Sequence, residues 1–348
     1  MSADYEVQAL GSTGPEMPPD GSLIECFREL ARDRIRTAGE LLLVSASKCF
    51  QACGGGTFVR PPEEGDRCLS PADLEQALAP LMEQHGWRGP VGRWLHSLLG
   101  IEKVAASDGL QAPFHELVAE ECGLWIEPNN EDAARAWGGR PLGRGVRLVN
   151  RDAPLPALQE GLDSEGVVLV AAPSEHVGAC LARHTAGCRV ILSDGGATLA
   201  GRLLARQLAQ AGCEVRFVYD SALPGLVHEA DMVWIGTEAI GAEGFVAPVG
   251  TRTVLAEAVR QEVPLRLLAT SDLVLPGADL ELPRWGDEET WRLWEDPVNR
   301  ALLESQPFER VPFPRQLMVA CEQGLLRPSD YALAVLDTET PRRFSTSG

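Results

Sequence analysis

Two textures of apolar and polar positions divide the chain. In the first, apolar residues recur at Leu23, Cys26, Phe27, Leu30, Ile35, Ala38, Leu41 and Leu42, the spacing of one helix face. This predicts a single long helix over Leu23–Ala52, stopped by the Gly54–Gly56 run. Ser70-Pro71-Ala72-Asp73 opens a second helix running to about His85, with Ser70 as cap, Pro71 at the first position and acids in the first turn. Further helical patterns cover Val91–Leu99 and Ala112–Cys122. From Gly166 the texture becomes short apolar runs at Val167–Ala171, Arg189–Ser193, Val215–Tyr219, Met232–Gly236 and Leu265–Ala269. Amphipathic stretches separate them at Glu175–Thr185, Thr198–Ala211, Ala222–Glu229 and Thr251–Gln261. Val, Ile and Leu runs without polar alternation suit strands buried on both faces, and helices between them imply parallel pairing with right-handed crossovers. The prediction is an α/β protein: a Rossmann-like doubly wound parallel sheet over residues 160–348, preceded by a mostly helical domain over 21–150. Gly138–Pro156, rich in Gly, Arg and Pro, reads as the linker, and residues 1–20 as a disordered lead-in.

Charge narrows the partners. The chain carries a net charge of −19, and its only lysines are Lys48 and Lys103. A Schiff-base lysine is therefore excluded from the C-terminal half. Nucleic acid is not expected as a partner, because counterion release needs a basic face. No run of about 18 apolar residues exists, so no membrane span is expected, and the N-terminus lacks the apolar core of a signal peptide. The nine cysteines are odd in number and irregular in spacing, which fits a reducing, cytoplasmic setting. Cys49 and Cys53 lack a matching second pair of ligands, so no metal is expected, and nothing in the sequence calls for a cofactor.

In an open parallel sheet, ligands bind off the carboxyl ends of the strands. That rule gathers Ser174, Asp194, Gly195, Gly196, Asp220, Ser221, Thr237, Glu238, Gly250, Thr251 and Arg252. Gly195–Gly196 forms a glycine-rich turn into a helix whose amides could approach a phosphate. It has neither the dinucleotide G-x-G-x-x-G spacing nor the Lys of a P-loop. Asp194, Asp220 and Glu238 are acids at three strand ends, open to roles as general base, hydroxyl acceptor or metal ligand. Each is equally readable as a cap or a solvated loop residue. Ser174-Glu175-His176 lacks the glycines of a nucleophile elbow, so Ser174 reads as a helix cap. His184 and His228 fall late in predicted helices, where their charge suits the dipole. Trp285, Trp291 and Trp294 are spaced like a helix face, and Asp287–Glu304 is expected at a domain or subunit interface.

Motifs in order now carry a family resemblance. Tyr219-Asp220-Ser221-Ala222, then Asp231–Glu238, then Val249-Gly250-Thr251 resemble the signature region of one superfamily. It unites the alpha, beta and delta subunits of translation initiation factor 2B with isomerases of methylthioribose 1-phosphate and ribose 1,5-bisphosphate. Phe308-Glu309-Arg310-Val311-Pro312 and Glu322–Pro328 resemble its C-terminal pattern, and Leu23–Ala52 could match its N-terminal helix. The resemblance implies a homodimer and, in the isomerases, a Cys and an Asp that move a proton between C1 and C2 of the sugar. An Arg and an Asn-Lys pair hold phosphate and hydroxyls.

This chain departs from the isomerases at those positions. Val170-Ala171-Ala172 stands where they have Thr-His-Cys, and Cys180 lies too far along to substitute. Asp194-Gly195-Gly196-Ala197 replaces Glu-Thr-Arg-Pro. Glu238 replaces the catalytic Asp, as in the regulatory subunits, Ala247-Pro248 replaces Asn-Lys, and Glu243 replaces an earlier Asn. Proton transfer needs two groups, one on each side of the sugar carbon, and only Glu238 remains. A carboxylate-lined pocket without cationic partners would repel phosphate, with Arg252 able to restore one charge. Three expectations stay open. The first is a regulatory or sensor protein with a degenerate site, binding a sugar phosphate or nucleotide as a homodimer. The second is an active sugar-phosphate isomerase with a site rebuilt from Glu238, Asp194, Asp220, Ser174 and Arg60. The third is a protein-interaction scaffold.

Overall fold

The computed structural model describes residues 23–32, 38–52, 70–86, 88–89, 91–92, 94–95, 97–99, 101, 114–126, 166–174, 177, 181, 189–270, 273–275, 282, 302, 306–321 and 323–331. The predicted linker, the lead-in, Arg60, Cys180, His184 and Asp287–Glu304 with its tryptophans lie outside, apart from Leu302, which is exposed. The described residues divide into two compact units.

The first unit is helical. α1 (Leu23–Ala31) buries Leu23, Cys26, Phe27 and Leu30 on one face, and α3 (Pro71–His85) buries Leu74, Ala77, Leu78 and Leu81. Ser70 caps α3: its Oγ accepts from the Asp73 amide at 3.2 Å and donates to the Asp73 carboxylate at 2.6 Å. The single helix expected over Leu23–Ala52 is two, α1 and α2 (Ala38–Ala52), with a turn at Arg32. The sequence between them, Arg32-Asp33-Arg34-Ile35-Arg36-Thr37, has one apolar residue in six. α4 spans Phe114–Ile126, and the described residues between 94 and 101 are helical. Phe27 meets Trp94 edge-on, ring centroids 6.3 Å apart.

The second unit holds the sheet. β1 (Val167–Ala172), β2 (Arg189–Leu192), β3 (Glu214–Phe217), β4 (Met232–Ile235) and β7 (Leu265–Leu268) lie within two residues of the predicted strands. Two further strands, β9 (Leu317–Cys321) and β10 (Gly324–Leu326), complete a seven-stranded sheet of order β10-β9-β7-β4-β1-β2-β3. All neighbours are parallel except β10, which runs antiparallel to β9. A register shift between Val170 and Ala172 marks a bulge at the carboxyl end of β1. Apolar clusters cover both faces of the sheet, one around Leu169, Val233 and Leu267, the other around Val168, Val170 and Trp234. Apart from the edge strand β3, the five predicted strands are buried almost throughout; β3 carries exposed Phe217, and Tyr219 just beyond it is exposed too.

The crossovers hold α5 (Ala200–Gln210), α6 (Leu223–Leu226) and α7 (Thr251–Arg260). Of the helix expected over Glu175–Thr185, only Val177 and Leu181 are described; both are helical and fully buried. A second sheet was not foreseen: β5 (Ala239–Ile240), β6 (Gly244–Pro248) and β8 (Phe308–Pro312) pair antiparallel in the order β5-β6-β8. It follows β4 directly and leads back into α7, so it overhangs the strand ends where a site was predicted.

Cys26, Cys49, Cys122, Cys213 and Cys321 are buried and outside any disulfide, and burial pushes the Cys26 thiol above its ordinary value. Brief maleimide labelling of the native protein is expected to leave these five unmodified by mass spectrometry, and labelling in urea to reach them all. Labelling of Cys26 in native protein would contradict its packing.

Candidate functional site at the strand carboxyl ends

The sheet order places its switch point at β1, which is flanked by β2 on one side and β4 on the other. Beyond β1, Ser174 caps the following helical turn by accepting from the Val177 amide at 3.3 Å. Beyond β4 the chain passes Gly236, whose amide donates to Ala172 O at 2.8 Å. A Cβ at position 236 would lie 2.4 Å from Ser174 Oγ, so only glycine lets the two loops approach this closely. The β2 loop joins them: a Cβ on Gly195 would sit 3.0 Å from Pro173 Cδ, and one on Gly196 would sit 3.9 Å from Pro248 Cβ. Ser174, Gly195, Gly196, Gly236 and Pro248 thus converge.

The amides that could receive an anion are occupied by the chain's own carboxylates. Gly195 and Gly196 have φ of 75° and 69°, a left-handed pair that turns both N–H groups the same way. Into this nest the Asp220 side chain projects, accepting from Gly195 N at 3.0 Å, Gly196 N at 3.3 Å and Ser193 Oγ at 2.6 Å. The start of α7 is filled likewise. Glu309 Oε1, from β8, accepts from Gly250 N and Arg252 N, each at 2.9 Å. The predicted phosphate-facing donors are therefore spent inside the molecule. Asp194 is paired too, with Arg202 Nε at 2.7 Å; this contact holds the Arg202 guanidinium above its ordinary value, chiefly through the hydrogen bond to Asp194.

Glu238 corrects the expectation of a site without cationic partners. Arg88 Nε and its terminal NH2 nitrogen both reach Glu238 Oε2 at 2.8 Å, and the Gly89 amide donates to Glu238 O at 2.8 Å. The two side chains are 7% and 17% exposed, so the pair is largely withdrawn from water. Sequence reading missed Arg88, which lies 150 residues from its partner. The available signal was Gly86, Gly89 and Gly92 at every third position. A Cβ on Gly89 would meet Leu273 Cα at 2.6 Å, and one on Gly92 would meet Gly86 O at 2.2 Å, so the segment is built to press against backbone.

The remaining predicted residues divide. Thr237 is buried, its hydroxyl shared between Ala239 O and Val246 O at 2.8 Å each, and it holds the β5–β6 hairpin rather than facing a crevice. Thr251 is buried and donates to Pro248 O at 2.7 Å, tying β6 to α7. Ser221 and Arg252 are exposed. Among the described residues no group of acids, histidines and cysteines is arranged to hold a metal, and no helix is long and apolar enough to cross a membrane.

Residues 156–276 match the sequence profile of the Initiation factor 2 subunit family, in line with the motifs read above. No curated protein matches the chain significantly in sequence. Among solved structures, the Pyrococcus horikoshii translation initiation factor eIF-2B aligns over 92% of this chain and 100% of its own, with TM-score 0.64 and 16% identity. The tetrameric eIF2B-beta2-delta2 complex from C. thermophilum aligns with TM-score 0.62 and 16% identity, over 92% of this chain and 96% of that one. The 5-methylthioribose 1-phosphate isomerase of Pyrococcus horikoshii aligns with TM-score 0.61 and 15% identity, over 92% and 88%. At these identities the likeness is one of fold. Residues 156–276 carry the signature of the Initiation factor 2 subunit family, on a fold shared with translation factors and with 5-methylthioribose 1-phosphate isomerase.

Proposed function

We propose that this chain is a catalytically silent, factor-2B-like regulatory protein, homodimeric, whose former isomerase site senses a sugar phosphate or nucleotide. The observation that carries the reading is the buried Arg88–Glu238 pair. A general base must accept a proton from substrate, and a carboxylate held by a guanidinium gives up that ion pair to do so. Ala171 and Ala172, where the isomerases carry His-Cys, are buried and bring no second proton carrier. Ligand binding in this reading is an exchange of anions: a phosphate takes the Gly195–Gly196 amides, displaces Asp220 and moves the loop after β3. Such an exchange couples occupancy to conformation, as sensing requires.

The test is a thermal-shift panel of pentose phosphates, methylthioribose 1-phosphate and nucleoside phosphates. A ligand at a hundred times its dissociation constant should stabilise by about 2.7 kcal/mol, with no turnover of any sugar phosphate. Turnover that Glu238→Gln abolishes would overturn the silent site, and a flat panel would overturn the sensor. Asp220→Asn sharpens the experiment. Removing the resident charge is expected to tighten binding of a phosphate hit about tenfold, because like charges no longer compete for the same amides. The same change should cost the fold about 1 kcal/mol through three weakened hydrogen bonds. Equal affinity in both proteins would place the ligand elsewhere.

A further inference from the structure

We infer that Leu199 is the hinge of a two-state turn. When an anion replaces Asp220 on the Gly195–Gly196 amides, Leu199 leaves its left-handed conformation and α5 lengthens to begin at Gly196. The inference names how the sensing site is regulated, and it rests on the sensor reading above.

The longer helix is already present in two pieces. Gly196–Thr198 form a single 3-10 turn, Ala200–Gln210 form α5, and Leu199 alone separates them. Its φ of 55° and ψ of 18° lie in the left-handed region, which glycine adopts freely and a branched side chain adopts at a cost. Burial does not offset that cost, because the Leu199 side chain is 45% exposed. Nor does hydrogen bonding. The Leu199 amide reaches Gly196 O only at 3.4 Å, and the Ala200 amide reaches Thr198 Oγ1 at 3.4 Å, both long for such bonds. Leucine is moreover a good helix former placed where a helix breaks. With Leu199 right-handed, the amides of Ala200, Gly201 and Arg202 would take the carbonyls of Gly196, Ala197 and Thr198 as ordinary helical partners. They now use Thr198 Oγ1, Asp194 O at 3.0 Å and Leu199 O at 3.1 Å instead.

Asp220 is what holds the break. Its carboxylate accepts from both left-handed glycines, Gly195 N at 3.0 Å and Gly196 N at 3.3 Å, and so fixes the turn from outside it. Asp220 is itself exposed, so its side chain can leave without opening the core. The change stays local because both ends of the turn are clamped. Arg202 grips the Asp194 carboxylate through Nε at 2.7 Å and a terminal nitrogen at 3.1 Å. Gly201 lies so close to Ser193 O that a Cβ there would come within 1.6 Å of it, which seats the body of α5. An anion on the turn gains from the longer helix, whose aligned peptides favour negative charge at the new N-terminus. Relief of the Leu199 strain adds to the same side of the balance, so occupancy and helix length are coupled. The Leu199 side chain swings as its backbone turns over, which changes the outer surface when the site fills.

Hydrogen exchange of the full chain, read by mass spectrometry over residues 194–204, tests the turn without any ligand. Asp220→Ala removes the holding carboxylate and should slow exchange there about tenfold, as the helix extends. Asp220→Ala/Leu199→Gly should return to the wild-type rate, because glycine is relaxed at the break and is a poor helix former. Faster exchange in Asp220→Ala, as from a turn that merely frays, would overturn the switch and leave the sensor reading untouched. Titration with inorganic phosphate is the second arm. Leu199→Gly should bind about five- to tenfold more weakly than wild type, since no strain is left to release. Leu199→Ala loses the same side chain but keeps the left-handed strain, and should bind within about twofold of wild type. Equal affinity in all three proteins would overturn the switch alone. Phosphate binding by none of them would overturn the sensor and this regulation with it.

Discussion

Replacing Arg88 with Met is expected to destabilise the second unit by about 3–5 kcal/mol, because the mostly buried Glu238 side chain is then left without this partner. Glu238→Leu leaves the opposite charge stranded and should cost a similar amount. The double change Arg88→Met/Glu238→Leu removes both charges at nearly constant volume and should recover most of the loss. Urea unfolding of the four proteins closes the cycle, and a coupling of several kcal/mol is the expected result. The outcome bears on function as well as stability. An Arg88→Met protein within about 1 kcal/mol of wild type would mean that the pair contributes little in solution. Glu238 would then be available as a base, and the isomerase alternative would regain its central residue.

Gly201→Ala is the second large effect, and two principles predict opposite signs for it. Helix propensity alone favours alanine by about 1 kcal/mol within α5. Packing opposes it, because the added Cβ would lie 1.6 Å from Ser193 O and 2.7 Å from Ser193 C, both backbone atoms. No rotamer relieves such a clash; α5 must shift away from the β2 loop. We expect packing to dominate, with a net loss of about 3 kcal/mol and a melting temperature lower by roughly 6–12 °C. The displacement would also pull on Asp194, whose carbonyl accepts the Gly201 amide at 3.0 Å, and so loosen the Gly195–Gly196 nest. Reduced phosphate affinity in a protein that still folds would be the companion observation, and an unchanged melting temperature would contradict the close approach.

Legibility in the sequence followed burial and locality. β1, β2, β4 and β7 were read within a residue or two because strands covered on both faces spell uninterrupted apolar runs. β3 was located too, although its exposed Phe217 shows that its apolar letters do not report a buried strand. The β5-β6-β8 sheet was invisible: β5 has two residues, and β8 pairs with β6 from some sixty positions away, a contact that leaves no local period. Long sequence separation also hid Arg88, 150 residues from Glu238, and Glu309, 59 from Gly250. Each is an ordinary charged residue in its own neighbourhood and acquires a role only when the fold brings it to a remote strand end. Asp220, by contrast, was singled out correctly as a strand-end acid, but its partners were not foreseen. Sequence gives the acid; only coordinates show that the neighbouring amides point at it. The split of the first helix is a milder case, since a stripe with one apolar residue in six positions was read as continuous.

The parallel pairing of β7 with β9 has a consequence for how the chain is made. Leu265, Leu267 and Leu268 are finished first, and the strand that covers their edge begins only at Leu317, about fifty residues later. At bacterial or eukaryotic elongation rates of roughly 5–20 residues per second, that edge stays open for seconds on the nascent chain. During that interval a hydrophobic parallel strand offers a template to any other unfinished copy nearby. Chains cut short between Ala269 and Leu317 would keep that edge permanently, and they should be recovered as aggregates or bound to chaperones.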